Sequence, residues 1–202
     1  MKKVAVYMAA LLLVVVSTTT VVSAQAAQEI QLQAEIAQAT EQDGILLMRE
    51  EEKLARDVYL ALYETWNLRT FSNIARAEQR HIDAVAALMK YKGIDDQLAD
   101  ALPGVFTIPK MAALYEELVA RGSQSVTEAL KVAAFIEDLD IYDLELLIAE
   151  AQDETTIRVY ENLLAGSEQH MRAFVGQLSR FGETYESVYI DAERLSEILK
   201  TR

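Results

Sequence analysis

Two histidines, His81 and His170, are the residues of this chain with the clearest capacity for chemistry. Glu78 precedes His81 by three positions, so on a helix the two side chains leave the same face about one turn apart. In that arrangement a carboxylate oxygen and an imidazole nitrogen can both reach one cation. The spacing of Glu78 and His81 therefore indicates half of a metal site.

Acidic residues at predicted core-facing positions supply the other half. Glu52 shares the buried stripe of the first predicted helix, while Glu137 and Asp140 lie on a largely apolar face of the third long one. A carboxylate on an apolar face is costly unless it is paired or binds a metal. An acid-bearing helix precedes each histidine-bearing helix, so the pattern occurs twice. The predicted metal ligands are Glu52, Glu78, His81, Glu137, Asp140 and His170.

The ligand types narrow the choice of metal. The chain has no cysteine, which excludes disulfides, iron–sulfur clusters and thiol catalysis. Carboxylate oxygen and imidazole nitrogen suit iron, as one or two ions, and also manganese, zinc or copper. The sequence leaves a non-metal alternative open, in which both histidines are hydrogen-bonded at the edge of the core. In that alternative Glu52 belongs to a solvated acidic run, and Glu137 and Asp140 form salt bridges.

Three other residues lie near the predicted ligands. Tyr59 and Tyr142 are the aromatic candidates, and their packing role, with a tethered hydroxyl, competes with a role in hydrogen-bonding a ligand or carrying a radical. Glu168 is expected on the exposed side of its helix. We therefore leave all three outside the predicted ligand set.

Helical periodicity predicts the elements that position these residues. The chain is rich in Ala, Leu and Glu and has only two prolines, a composition typical of an all-α protein. Short links make consecutive long helices antiparallel neighbours, and the long middle connection suits a crossover between two hairpins. The long helices are predicted from about Asp43 to Thr65, from Thr70 or Ser72 to Lys92, from Ser125 to Leu147, and from Ile157 to Gly182. A short helix is predicted from Pro109 to about Arg121, and an amphipathic one over 184–200.

Residues 1–24 have the three parts of a secretory signal. Lys2 and Lys3 form its basic start, an apolar run follows, and Val22-Ser23-Ala24 gives the small-residue end. We expect cleavage after Ala24. The alternative, an uncleaved anchor, is disfavoured because the apolar run is shorter than the ~20 residues that a membrane span needs. In both cases the folded part lies outside the cytoplasm, as a secreted, periplasmic or cell-surface protein.

The charge balance limits the partners. The chain carries 19 basic and 32 acidic residues, a formal net charge of −13, and removal of the signal makes it more acidic still. Such a charge repels nucleic acid and anionic membrane surfaces and favours cations. We expect metal ions as partners, no nucleic acid, and no membrane after signal cleavage. A homodimer is the open alternative to a monomer.

At its candidate ligands the chain resembles the ferritin-like superfamily, and rubrerythrin-type di-iron proteins in particular. The stretch from Glu52 to Tyr59 is similar to their first-helix pattern, Glu78-Gln79-Arg80-His81 to their Glu-x-x-His, and Glu137 with Asp140 to their third-helix acid pair. A closer similarity is to a bacterial and archaeal family of ferritin-like domains without an assigned function. The resemblance spans about 43–182.

The resemblance implies a ferritin-like four-helix bundle, made of two antiparallel hairpins and a crossover that contains the short helix. The expected organisation is a signal peptide over 1–24, a Gln- and Ala-rich tether over 25–42, the bundle over 43–182 and a C-terminal amphipathic helix over 183–202. It also implies a di-iron or di-manganese site that oxidises its metal with oxygen or peroxide, as a ferroxidase or peroxidase would. Ser167 stands where the superfamily has an acid, so we expect an asymmetric site. The alternatives are metal binding without turnover and a structural bundle with residual ligands.

Overall fold

The chain from residue 41 to residue 201, described by a computed structural model, contains six helices and no β-strand, which confirms the predicted all-α class. The predicted signal peptide and almost all of the predicted tether lie outside these described residues. No helix in this part of the chain has the length and apolar character needed to cross a membrane. The helices are α1 (Glu41–Trp66), α2 (Arg69–Lys92), α3 (Pro109–Gly122), α4 (Val126–Glu150), α5 (Glu154–Arg180) and α6 (Ala192–Lys200).

Local sequence signals set most of the helix ends. Asn67 takes a positive φ of 50° and ends α1, and Gly93, with φ 71°, ends α2. The Ser125 hydroxyl accepts the Glu128 N–H at the start of α4, as the capping pattern predicts. The Asp153 carboxylate caps α5 in the same way. These ends agree with the predicted boundaries to within a few residues.

The four long helices pack in pairs that contact each other. α1 lies along α2, and α4 lies along α5; α1 also contacts α4, and α2 contacts α5. An ion pair between Glu41, at the start of α1, and Lys92, at the end of α2, shows that the first pair is antiparallel. The short helix α3 packs on α1 and α4. Every long helix therefore has two long neighbours, and its inner face is enclosed.

A polar layer divides the hydrophobic core. One apolar cluster includes Phe71, Ala133 and Phe174, and the other includes Met48 and Leu144. Each long helix passes from one cluster to the other through a stretch of buried polar residues. Those residues include Glu50, Glu51, Glu52, Glu78, Glu137, Asp140, Asp143, Ser167 and His170. The apolar clusters on both sides hold the backbone of this layer in place.

The C-terminal segment differs from the predicted helix over 184–200. Only Ala192–Lys200 is helical. The buried carboxylate of Asp138 accepts hydrogen bonds from the backbone N–H groups of Val188, Tyr189 and Ile190, which therefore cannot join a helical ladder. Val188, which an amphipathic helix over 184–200 would turn inward, is 65% exposed. The prediction of a helix over 183–202 was wrong for its first half because sequence periodicity does not reveal such an acceptor.

Candidate metal centre

Glu78 lies between the two histidines. Its Oε2 is 2.9 Å from Nδ1 of His81, and its Oε1 is 2.8 Å from Nδ1 of His170. The second pair is close but not aligned as a hydrogen bond, so both of its atoms lack a hydrogen-bond partner. One ligand atom from each of the three residues lies within 4.8 Å of the others. This slightly exceeds twice the usual ligand–metal distance of about 2.1 Å, so the group could hold one metal ion after small rotations.

Residues of α5 position both rings. The His81 ring packs so closely on Gly166 that a Cβ there would lie 2.4 Å from Nε2. Only glycine leaves this space, and the packed Nε2 edge directs Nδ1 of His81 towards the carboxylates. The His170 ring stacks on His81 with centroids 5.3 Å apart and planes inclined by 26°. Gly166 and His170, both on α5, thus form the surface against which the His81 ring packs.

Glu52 and Glu137 approach the same group from α1 and α4. Oε2 of Glu52 is 3.0 Å from Nδ1 of His81, and Oε2 of Glu137 is 3.5 Å from Nδ1 of His170. The Tyr59 hydroxyl donates to Oε1 of Glu137 over 2.6 Å. Tyr59 therefore holds one oxygen of Glu137 and leaves the other turned to the histidine.

Asp140, on α4, lies in the same polar layer and is hydrogen-bonded to a residue of α5. The Ser167 hydroxyl donates to Oδ2 of Asp140, while Oδ1 of Asp140 is buried without a partner. Serine at the position where an acid would be expected thus orients the aspartate. The interaction provides one free carboxylate oxygen in place of the missing side chain.

Unpartnered buried oxygens indicate that the donor set fits a metal ion. Glu52 Oε1, Glu78 Oε1 and Asp140 Oδ1 are all buried and lack a hydrogen-bond partner. Buried polar atoms are almost always hydrogen-bonded, and an unpaired one costs roughly 1–3 kcal/mol. A cation bound in this layer would give such oxygens a partner, and Glu78 belongs to the group that could hold one. Together with two imidazoles, these oxygens form a hard, mixed oxygen and nitrogen donor set, which suits iron and manganese.

Without a metal, the histidines hold the positive charge of the cluster. Burial lowers the pKa of His81, but Glu52 and then Glu78 outweigh it and raise that pKa to about 11. Burial also lowers the pKa of His170, but the charges of Glu137 and then Glu78 outweigh it and raise that pKa to about 10. Burial alone would raise the pKa of Glu78, yet His170 and His81 lower it to about 2. The three residues therefore form a buried cation–anion–cation arrangement.

The pKa values of the other carboxyl groups in this layer are raised. Burial and then the charge of Glu78 raise the pKa of Glu137 to about 8, against the opposing effect of His170. Burial raises the pKa of Asp140 to about 6, although the Ser167 hydrogen bond opposes it. Burial and then the Asp140 charge raise the pKa of Glu52 well above its usual range. The cluster therefore contains more carboxyl groups than the positive charges of its two histidines can neutralise.

The described part of the chain matches a known family. Residues 41–202 match the family described as "Uncharacterized protein domain (DUF2202)". The chain belongs to the DUF2202 family. The uncharacterized protein MJ0754 of Methanocaldococcus jannaschii is 50% identical over 161 residues, which cover 80% of this chain and 87% of that protein. The crystal structure of hypothetical protein MJ0754 from Methanococcus jannaschii matches with a TM-score of 0.79 and 48% identity, covering 81% of this chain and 94% of the other.

The DUF2202 domain brings five of the predicted ligands into one set of contacts, namely Glu52, Glu78, His81, Glu137 and His170, and holds the sixth, Asp140, through Ser167. The sequence pattern predicted one acid-and-histidine half-site in each hairpin. In the structure Glu78, from the first hairpin, is closer to His170 than is Glu137, from the second. Tyr142 packs on Tyr189, and Glu168 pairs with Arg172 and Arg194 at half-buried positions.

Two acids of the DUF2202 domain were missed by the sequence analysis. Glu51 and Asp143 are 5% and 6% exposed; burial raises the pKa of both carboxyl groups, and the charge of Asp143 raises that of Glu51 further. Asp143 follows Asp140 by three positions on α4, the same spacing that singled out Glu78 and His81. In the alternative interpretation Glu52 belonged to a solvated acidic run on α1, but Glu50, Glu51 and Glu52 are all buried.

Glu50 faces another part of the domain. Its Oε1 accepts from the backbone N–H groups of Thr107 and Ile108 in the connection before α3, and it lines a cavity of about 270 Å³ with Arg49 and Leu98. Glu50 therefore fastens the crossover connection to α1. It does not belong to the histidine cluster.

Proposed function

We propose that the four long helices form a ferritin-like bundle whose polar layer is a metal centre, with iron or manganese as one or two ions and zinc or copper as the alternatives. The observation that carries this proposal is the convergence of Glu78, His81 and His170 to within 4.8 Å. The unpartnered oxygens beside them support it. The ligands would be Glu52, Glu78, His81, Glu137, Asp140 and His170.

The chemistry we propose is oxidation of the bound metal by oxygen or peroxide. A redox-active ion would supply the electrons, and the chain would supply geometry and proton acceptors. Glu78 would hold its place between the rings, Tyr59 would fix Glu137, and Ser167 would fix Asp140. The apolar clusters on both sides of the layer would limit access of water.

Anaerobic titration of the purified chain with Fe(II) tests metal binding. We expect uptake of one or two ions per chain, loss of most uptake in the His81→Ala/His170→Ala variant, and consumption of oxygen or peroxide by the loaded protein. A protein that binds neither Fe(II) nor Mn(II) would contradict the proposal. Glu168→Gln is a matched control, because it removes an acid beside His170 that pairs with arginines instead.

Metal binding without turnover is the second candidate. It is favoured by Ser167, which holds one oxygen of Asp140 and stands where the superfamily has an acid, so the centre has one carboxylate donor fewer. Stoichiometric uptake with no consumption of oxygen or peroxide would select this function. If the double histidine variant kept both the metal content and the melting temperature of the parent, a purely structural role would follow.

We also propose that the protein acts outside the cytoplasm. This rests only on residues 1–24, whose pattern is that of a secretory signal. Amino-terminal sequencing of the protein from its native host should find a chain that begins after Ala24. An intact Met1 on protein from the cytoplasmic fraction would contradict it.

A further inference from the structure

Arg49 and Glu50, next to each other on α1, are buried charged residues that line a cavity. They are 4% and 2% exposed, and the cavity of about 270 Å³ that they line contains no residue of the histidine cluster. The connection between α2 and α3 contributes Asp96, Leu98 and Thr107 to its wall. The cavity is therefore separate from the candidate metal centre.

Each of these two side chains is held by the connection and keeps one polar atom without a partner. Nε of Arg49 donates to Oδ2 of Asp96 over 3.0 Å, and Nη2 donates to the Leu98 carbonyl oxygen over 3.1 Å. Oε1 of Glu50 accepts from the backbone N–H of Thr107 over 2.8 Å. Nη1 of Arg49 and Oε2 of Glu50 are buried and lack a hydrogen-bond partner. One donor group and one acceptor atom, on two fixed side chains, are thus unused.

These two unpaired atoms have opposite character, which limits what could satisfy both. Buried polar atoms are almost always hydrogen-bonded to protein or to ordered water. A metal ion would suit the Glu50 carboxylate but not the Arg49 guanidinium, and a simple anion would suit the guanidinium but not the carboxylate. Ordered water could serve both, but it would make no use of an apolar wall. One molecule that satisfies both atoms must carry an acceptor and a donor.

The cavity has an apolar wall and room for a small organic molecule. Its apolar side chains are those of Leu46, Leu47, Met89, Leu98 and Ile108. A cavity of about 150 Å³ holds benzene, so one of about 270 Å³ has room for a molecule of roughly nine non-hydrogen atoms. Gln97 and Thr107 belong to the lining and are exposed, so such a molecule can enter from solvent.

We propose that this cavity binds a small zwitterion with an apolar side chain, of the class of the free apolar amino acids. Its carboxylate would accept from Nη1 of Arg49, its ammonium group would donate to Oε2 of Glu50, and its side chain would lie on the apolar wall. Both contacts are charge-assisted hydrogen bonds, which are the stronger kind. The site does not rest on the proposed function, since it shares no residue with the metal ligands.

The charge of the lining ranks the two ends of such a ligand. Three acids, Asp43, Glu50 and Asp96, line the cavity with one base, Arg49, and the ion pair between Arg49 and Asp96 already balances that base. A wall with an excess of acid attracts positive charge and repels negative charge. The ammonium group should therefore contribute more to binding than the carboxylate, and an anion without an ammonium group should be the poorest ligand.

Isothermal titration calorimetry of the full chain with free leucine tests the proposal. We expect saturable binding at one site per chain. Two analogues each lack one end of leucine: 3-methylbutylamine has no carboxylate, and 4-methylpentanoate has no ammonium group. Each should bind about tenfold more weakly or worse, because each loses a charge-assisted hydrogen bond. Of the two analogues, 4-methylpentanoate should bind more weakly.

The variant Glu50→Gln tests the residue that holds the ammonium group. It keeps the shape of the side chain and removes its charge, so leucine should bind about tenfold more weakly or worse. Binding of 4-methylpentanoate should not weaken, since that molecule makes no contact that needs the charge. The matched control is Glu64→Gln, which removes an exposed acid from the same helix and should bind leucine as the parent does.

Two results would overturn the site. One is the absence of saturable leucine binding, which would leave the cavity to ordered water; the other is leucine binding that Glu50→Gln and Glu64→Gln leave equally strong. If circular dichroism shows that Glu50→Gln does not fold, Leu46→Phe gives a second comparison, because it enlarges a side chain of the apolar wall and removes no polar atom. That variant should also weaken leucine binding, and unchanged binding would again overturn the site.

Discussion

The rings of His81 and His170 stack with centroids 5.3 Å apart, although both carry a raised pKa. Two protonated imidazoles at this distance repel each other in a medium of low dielectric constant. The carboxylate of Glu78 lies at 2.9 Å from one Nδ1 and 2.8 Å from the other, and its negative charge offsets that repulsion. Glu78 is therefore the residue on which the metal-free arrangement depends most.

Replacing Glu78 with glutamine should destabilise the metal-free protein. The change keeps the shape but removes the one carboxylate among residues 41–201 that lies within 3 Å of Nδ1 in both rings. Breaking a buried charge pair costs about 3–5 kcal/mol. Urea unfolding of the metal-free protein measures the loss. Glu168→Gln, which breaks half-buried surface pairs with Arg172 and Arg194, should change the free energy of unfolding by less than about 1 kcal/mol. Equal losses for both variants would contradict this role of Glu78.

Metal binding should release protons and strengthen as pH rises. The pKa values of His81 and His170, about 11 and about 10, keep both rings protonated near neutral pH, whereas a metal needs a neutral Nδ1. Each displaced proton makes the apparent affinity rise about tenfold per pH unit. Titration of Fe(II) or Mn(II) between about pH 6 and pH 8, in two buffers of different ionisation enthalpy, measures the number released. Affinity that does not depend on pH would exclude the histidine nitrogens as ligands.

The stability of the metal-free protein should fall as pH rises, opposite to the trend in metal affinity. A histidine whose pKa is higher in the folded state than its ordinary value of 6.5 gives stability that is fully present below that value. This stability is lost as pH rises through the folded pKa values of about 10 and about 11. Thermal unfolding of chelator-treated protein should therefore show a falling melting temperature in that alkaline range. The His81→Ala/His170→Ala variant should lack this histidine contribution.

Sequence spacing was sufficient to find Glu78 and His81 because both lie on one helix, where positions fix relative direction. It also placed Glu52 on the buried stripe of α1, where the residue is 1% exposed. It could not show that Glu78 reaches His170, because that contact joins two hairpins and depends on how they pack. The expected symmetry of two half-sites was therefore replaced by one group centred on Glu78.

Sequence patterns failed to identify the buried charged residues of α1 for one physical reason. Glu51 lies next to two other glutamates, and a run of charges on a helix is usually solvated, whereas here all three are buried. Lys53 shows the same effect, since it is 1% exposed and pairs with the buried Asp57 over 2.5 Å. One turn of α1 thus carries buried charged side chains on several faces, because each face packs against a different partner. Such partners belong to the tertiary structure and leave no periodic signal in the sequence.

Alanine at Gly166 should weaken metal binding without removing a ligand. Its Cβ would lie 2.4 Å from Nε2 and 2.5 Å from Cε1 of His81, so the ring must shift away from the carboxylates. We expect the affinity for Fe(II) to fall about tenfold or more. The matched control is Gly176→Ala on the same helix, where a Cβ meets nothing within 4 Å. That variant should keep its affinity and gain about 0.5–1 kcal/mol of stability. If both variants bound Fe(II) equally well, the close packing of His81 on α5 would have no part in positioning the ligand.

Asparagine at Asp138 should free the C-terminal segment and leave the metal centre intact. Both carboxylate oxygens of Asp138 accept hydrogen bonds, Oδ2 from the Tyr185 hydroxyl at 2.8 Å and from the Val188 N–H at 2.5 Å, and Oδ1 from the Ile190 N–H at 2.9 Å. An amide NH₂ group would face a donor in place of one oxygen, and hydrogen bonds to a charged group contribute about 1.5–3 kcal/mol each. We expect a loss of roughly 3 kcal/mol, with faster amide hydrogen exchange at Val188 and Ile190.

The control for this change is Glu145→Gln, which weakens the ion pair between Glu145 and Arg194 on the same segment. Because that pair is partly solvated, its loss should cost less than about 1 kcal/mol and leave exchange at Ile190 slow. Metal content should stay at the parent level in both variants, since the hydrogen bonds of Asp138 run to residues 185–190 of the C-terminal segment. Loss of metal on release of the segment would instead mean that residues 181–191 help to close the polar layer, and the centre would then extend beyond the four long helices.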